Sequence, residues 1–142
     1  MDREIHLYVD GRSFNNYGSG FAVVMISKNN KWLRSLVYGK YSVNQIDLLA
    51  VKFALLSINN HAKSYKITVY TKNDYIVGVF NRINGIYVQN PSFNIDFIND
   101  VKKIIEGKNI TFEKVINSDI SQICKDMAID AVKNKKIVDI KR

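Results

Sequence analysis

The sequence predicts an α/β domain built on one mixed sheet, and three observations predict it. Three runs of strand character follow one another at the N-terminus, joined by short turn-rich connections. From Asn44 onward helical and strand patterns alternate, giving the order βββαβα(α)βα. No composition shift, internal repeat or low-complexity stretch divides the 142 residues, so residues 1–142 read as a single domain with enough chain to bury a core. A three-stranded meander followed by alternating elements implies a five-stranded mixed sheet with helices on both faces.

Each element has its own local reason. Glu4 to Asp10 sets Ile5, Leu7 and Val9 against His6, Tyr8 and Asp10, the period of a strand. Asn15-Asn16-Tyr17-Gly18-Ser19-Gly20 reads as a bend. Phe21 to Ser27 is an apolar, β-branched second strand, and Lys28-Asn29-Asn30-Lys31 turns it into a third, Trp32 to Gly39. Asn44 is expected to cap a helix reaching about Asn59, apolar on nearly every face and hence covered on more than one side. Lys66 to Thr71 is a short strand, and Asn73 to Phe80 a short helix. Asn81 to Ser92, with Gly85 and Pro91, reads as loop. A helix from Phe93 to Glu106 stops at Gly107, a fifth strand spans Asn109 to Ile116, and a last helix runs from Asp119 to Lys133. Its expected apolar stripe is Ile120, Ile123, Cys124, Met127 and Ala131.

Composition narrows the chemistry. A single cysteine, Cys124, rules out an internal disulfide and a cysteine-only zinc site, and two histidines, His6 and His61, leave little for any zinc constellation. His6 is expected to be a satisfied core histidine and Cys124 a small buried hydrophobe. No apolar run approaches the roughly 18 residues that span a bilayer, and Met1-Asp2-Arg3-Glu4 is no signal peptide, so no membrane partner and an intracellular, cytoplasmic location are expected. The net charge of +8, with a pI near 9.5, favours polyanions through counterion release. The lysines are scattered, however, and a solvated basic surface explains the charge equally well.

Two acids stand out. Asp10 ends the first strand against Gly11, and Asp47 opens the long helix, with two strands between them. Strand-end acid followed by helix-start acid is how two-metal nucleases begin a carboxylate cluster. Simpler roles exist as well: Asp47 would also suit a helix dipole three residues after a cap at Asn44.

Five segments in order resemble ribonuclease H of type 1. Tyr8-Val9-Asp10-Gly11 is similar to its first-strand aspartate motif, and Asn16 with Gly18 and Gly20 to its Asn-Pro-Gly-rich turn, with Tyr17 where proline is usual. Asn44-Gln45-Ile46-Asp47-Leu48-Leu49-Ala50 resembles its helix motif, aspartate replacing glutamate. Tyr70-Thr71-Lys72-Asn73-Asp74-Tyr75 resembles its Thr-Asp-Ser-x-Tyr segment, and Cys124-Lys125-Asp126-Met127-Ala128 the segment around its fourth acid.

The resemblance implies a ribonuclease H-like fold and four carboxylate positions that hold two magnesium ions at a scissile phosphate. Those positions here are Asp10, Asp47, Lys72 and Lys125, so two acids have become cations and the site's own charge moves from about −4 to about 0. The family's histidine loop is also absent, since Ile116-Asn117-Ser118-Asp119 is short and has no histidine. Asp74 and Asp126 are the alternative acids for a shifted site. Helical periodicity puts Asp126 on the flank of the last helix opposite Lys125. Lys72 and Lys125 are expected to neutralise Asp10 and Asp47 as salt bridges. Gly11, Arg12, Asn16 and Asn44 are the candidate nucleic-acid contacts. The expected function is a domain without catalysis that binds nucleic acid, an RNA–DNA hybrid or duplex, and needs no cofactor. The alternatives are an active magnesium-dependent ribonuclease with a remodelled site, and a module for a protein partner.

Overall fold

The computed structural model describes residues 3–28, 30–58, 65–81 and 91–141. The elements run β1 (Glu4–Phe14), β2 (Gly18–Ser27), β3 (Asn30–Tyr38), α1 (Val43–Ser57), β4 (Lys66–Thr71), α2 (Asp74–Asn81), α3 (Pro91–Ile105), β5 (Asn109–Lys114), α4 (Asp119–Asn134) and β6 (Asp139–Lys141). His61, most of the loop expected between Asn81 and Ser92, and the end expected for α1 at Asn59 lie outside the described residues.

Among the described residues one mixed sheet carries all six strands, in the order β5-β4-β1-β2-β3-β6. β1 is central, antiparallel to β2 and parallel to β4. β5 continues the parallel half and β6 the antiparallel half. The sheet thus has six strands, not five. The tail adds β6 to the free edge of β3, where Asp139 receives the Trp32 indole N–H at 3.1 Å and faces Arg34 at 3.8 Å. At the opposite edge, Asn81 bonds both backbone groups of Phe112 in β5, at 2.5 and 3.1 Å. That protects an otherwise open strand.

The strand period divides the core between the two faces. Ile5, Leu7, Val9, Phe21, Val23, Ile67, Val69 and Phe112 face α1, α2 and α3. Ala22, Val24 and Leu33 face α4 through Cys124 and Ala128. β2 lies between helices on both sides, which is why Phe21 to Val24 are all fully buried. Gly20 marks the closest approach: a Cβ there would stand 2.7 Å from both the Leu36 carbonyl oxygen and the Val132 side chain. Gly107, at φ 75°, ends α3 in the left-handed region that favours glycine.

Several local expectations are corrected. β1 does not stop at Asp10 but continues to Phe14, so Asp10 lies within a strand. Ser42, not Asn44, caps α1: its hydroxyl accepts from the Gln45 N–H, and the Gln45 side chain accepts from the Ser42 N–H. This box satisfies two helix-start donors at once. No acid lies in the first turn of α1, so the dipole does not account for Asp47. On α4 the buried residues are Ser121, Cys124, Ala128, Ala131 and Val132, while Ile123 is exposed. His6 is no core residue. It is partly exposed on the sheet, its Nδ1 2.8 Å from the Tyr70 hydroxyl and its Nε2 4.0 Å from Glu4.

Candidate active-site groove

A groove of about 400 Å³ opens where β1, the start of α1 and the β4–α2 turn meet. Its walls include Asp10, Gly11 and Arg12 from β1, Asn44 and Asp47 from α1, and Lys72, Asn73 and Asp74 from the turn. The topology explains the meeting. Parallel pairing of β1 with β4 brings the far ends of both strands to one side of the sheet, and α1 starts there.

Asp10 is 7% exposed. Its carboxylate is gripped by Arg12, Nε to Oδ1 at 2.7 Å and Nη2 to Oδ2 at 3.2 Å. Residues two apart in a strand share a face, so the strand itself delivers this partner. The fork geometry makes it a strong ion pair. Lys72 was the expected partner, and neither Lys72 nor Lys125 forms an ion pair among the described residues.

Asp47 is buried differently, without a cation. Its Oδ1 accepts the Gly11 N–H at 2.7 Å and its Oδ2 the Asn73 amide at 2.8 Å. The bond to Gly11 depends on the missing side chain, because a Cβ on Gly11 would lie 2.5 Å from Asp47 Oδ1. Desolvation pushes the Asp47 carboxyl up to about 6; the two hydrogen bonds oppose the rise only in part, and the Asp10 charge adds to it. Asn73 ties the groove together. Its amide also donates to Asn44 Oδ1 at 2.9 Å, and its own Oδ1 accepts the Tyr75 N–H at 2.9 Å.

The remaining candidates lie at varying distance from this centre. Lys72 lines the groove, half-buried. Lys125 is half-buried on α4 and does not line it. Asp74 sits on the rim, exposed, paired with Lys114 at 3.0 Å. Asp126 is exposed and accepts from the Gln122 amide at 2.9 Å. Asn16 is exposed in the β1–β2 turn, outside the groove lining. Beside Lys125, Cys124 is buried, its thiol donating to the Ala22 carbonyl at 3.3 Å. Burial, with the Asp10 charge, pushes that thiol well up, against the opposing influence of Lys72 and Arg12.

Sequence reasoning missed two contributors. Asn73 was read only as a helix start, and Arg12 only as a nucleic-acid contact. For Arg12 the signal was present, since one more strand period past Asp10 places it beside the acid. For Asn73 the local signal is that of a helix start alone, because the partners of its side-chain NH₂, Asn44 and Asp47, come from α1.

The two magnesium ions implied by the resemblance need several unengaged carboxylates close together. Three line the groove: Asp10 and Asp47 have both oxygens on protein donors, and Asp74 at the rim is paired with Lys114. Among the described residues no group of three or more His, Cys, Asp or Glu could hold a metal ion. As folded, this donor set does not fit the ion pair.

The fold recurs in solved structures. RNase H1 from the halophilic archaeon Halobacterium salinarum NRC-1 is 15% identical, with a TM-score of 0.72 over 92% of this chain and 98% of that one. LC11-RNase H1, isolated from compost by a metagenomic approach and solved in complex with an RNA/DNA hybrid, is 17% identical at a TM-score of 0.75, over 92% and 98%. The foamy viral protease-reverse transcriptase, also solved with an RNA/DNA hybrid, is 18% identical at 0.66, over 93% of this chain and 20% of that one. A search among curated proteins finds no significant match. The family model for RNase H matches residues 2–137, nearly the whole chain, and this chain belongs to the RNase H family.

Proposed function

We propose that this RNase H domain binds nucleic acid, an RNA–DNA hybrid in the first instance, through its basic surface and does not hydrolyse it by two-metal chemistry. One observation carries the second half of the reading. The two carboxylates at family acid positions are held by the protein's own donors, Asp10 by Arg12 and Asp47 by Gly11 and Asn73, and the third acid position is Lys72. An ammonium group a few Å from an ion position repels a divalent cation by several kcal/mol even at an effective dielectric near 20. The binding half rests on the net charge of +8 and on the hybrid-bound LC11-RNase H1 and foamy viral enzyme of the same fold.

The test is a labelled RNA–DNA hybrid offered in magnesium and in manganese. No cleavage is expected, together with binding that weakens steeply with salt. Metal-dependent cleavage that disappears in Asp10→Asn would overturn the reading. Loss in the variant separates the protein's own activity from a contaminating nuclease.

A further inference from the structure

Given the proposed binding function, on which this step rests, we infer that the groove seats a backbone phosphate without any metal ion, and that Lys72 is the residue that holds it. The disagreement between the donor set and a two-ion centre leads there. Asp10 and Arg12 form a closed pair, with both carboxylate oxygens on the guanidinium. At the rim Asp74 and Lys114 form another, at 3.0 Å. Asp47 is the one wall carboxylate without a cation, and it lies 6% exposed behind the Gly11 N–H and the Asn73 amide.

That leaves Lys72. It lines the groove, keeps part of its surface in solvent and has no ion pair among the described residues. An ammonium at this place offers a phosphodiester what an ion would offer electrostatically, a compact positive charge with three rotatable donors. It brings no coordinated water, so the phosphate is bound and not attacked. Arg12 lines the same groove, its side chain 29% exposed, adding positive potential at the wall while remaining committed to Asp10. Two further consequences follow. Binding requires no divalent ion, and added magnesium acts only as a competing counterion on the nucleic acid.

The experiment measures fluorescence anisotropy of a labelled RNA–DNA hybrid across a salt series, in magnesium and in chelator at matched ionic strength. The proteins compared are the parent, Lys72→Gln, Lys72→Arg and Lys136→Gln, the last at an exposed position after α4. The parent is expected to bind at least as tightly in chelator as in magnesium. Lys72→Gln should bind roughly tenfold more weakly, the scale of one charged hydrogen bond. Its slope of log affinity against log salt should be shallower by about 0.9, one phosphate contact. Lys72→Arg should keep the parent's slope, and Lys136→Gln should bind like the parent. Unfolding midpoints of all four check that the variants are folded. If the parent binds but magnesium tightens the complex, or Lys72→Gln keeps the parent's affinity and slope, the phosphate seat is refuted while hybrid binding stands. If Lys136→Gln loses as much as Lys72→Gln, the contact is diffuse and the seat is likewise refuted. If the parent binds no hybrid at low salt in either condition, the functional reading fails and takes the seat with it.

Discussion

Asp47→Asn should make the protein less sensitive to rising pH, and the size of the effect follows from where Asp47 sits. Burial raises its carboxyl from 3.8 to about 6 in the folded protein. The folded state therefore holds this proton more tightly than the unfolded chain, and the stabilisation is complete below about pH 4. It is lost as pH rises through the folded value. Two pH units correspond to about 3 kcal/mol in total. Roughly half is already spent by pH 5, and the remaining ~1.4 kcal/mol goes between pH 5 and pH 8. The amide has no such titration, and its oxygen still accepts the Gly11 N–H. Its NH₂ cannot accept from Asn73, so the variant loses one hydrogen bond, about 1 kcal/mol, at every pH. The measurable quantity is the difference between variant and parent in urea unfolding from pH 5 to pH 8, which cancels other carboxylates common to both. It should move in the variant's favour by about 1.4 kcal/mol across that range. A difference that stays constant with pH would show that Asp47 ionises as readily in the folded protein as outside it. The argument that burial dominates its two hydrogen bonds would then be wrong.

Arg12→Met should destabilise by about 2 kcal/mol near pH 7, because it strips both donors from a carboxylate 7% exposed; the partial exposure of Arg12 keeps the loss below that of a fully buried pair. Urea unfolding measures it, and a change below about 0.5 kcal/mol would mean that solvent already satisfies Asp10. Lys72→Asp combined with Lys125→Asp should lower stability without metal, since Lys72→Asp adds a like charge to the groove and two cations are lost from around it. Millimolar magnesium should raise its melting temperature and leave the parent's unchanged. A folded double variant with no magnesium response would refute the placing of these two lysines at acid positions.

What could be read from the sequence was what is local. The periods of β1, β2 and β4 and the stop at Gly107 depend on neighbours in the chain, and the structure places them within a few residues of expectation. β6 could not be read, because Asp139, Ile140 and Lys141 are exposed and carry no period. Their strand exists through pairing with β3 and through the contacts of Asp139 with Trp32 and Arg34. The cap of α1 was legible and misread: Ser42-x-x-Gln45 is a capping-box pattern, but Asn44 heads the motif that drew attention. Gly11 misled in a similar way. A glycine after an acid reads as the end of the strand, whereas here it keeps the chain extended and lets α1 approach β1.

The same misreading hid the partner of Asp10, and this bears on why the two acids persist beside two lysines. A carboxylate kept only for a metal would need its oxygens free and aimed at the ion. Asp10 instead closes a ring with a residue of its own strand, and Asp47 bonds β1 through Gly11 and the β4–α2 turn through Asn73. Asn73 in turn bonds Asn44, so three segments meeting at the groove are joined through side chains that a purely apolar packing would leave unconnected. Removing either acid would strand donors already taken out of water, at a cost of about 1–3 kcal/mol for each group left unpaired. Lys72 and Lys125 answer to no such constraint, since no ion pair among the described residues uses them. Under the proposed function the four positions divide accordingly. The two that still carry acids are held by what they do for the fold, and Lys72, free of that demand, was available for a contact of its own.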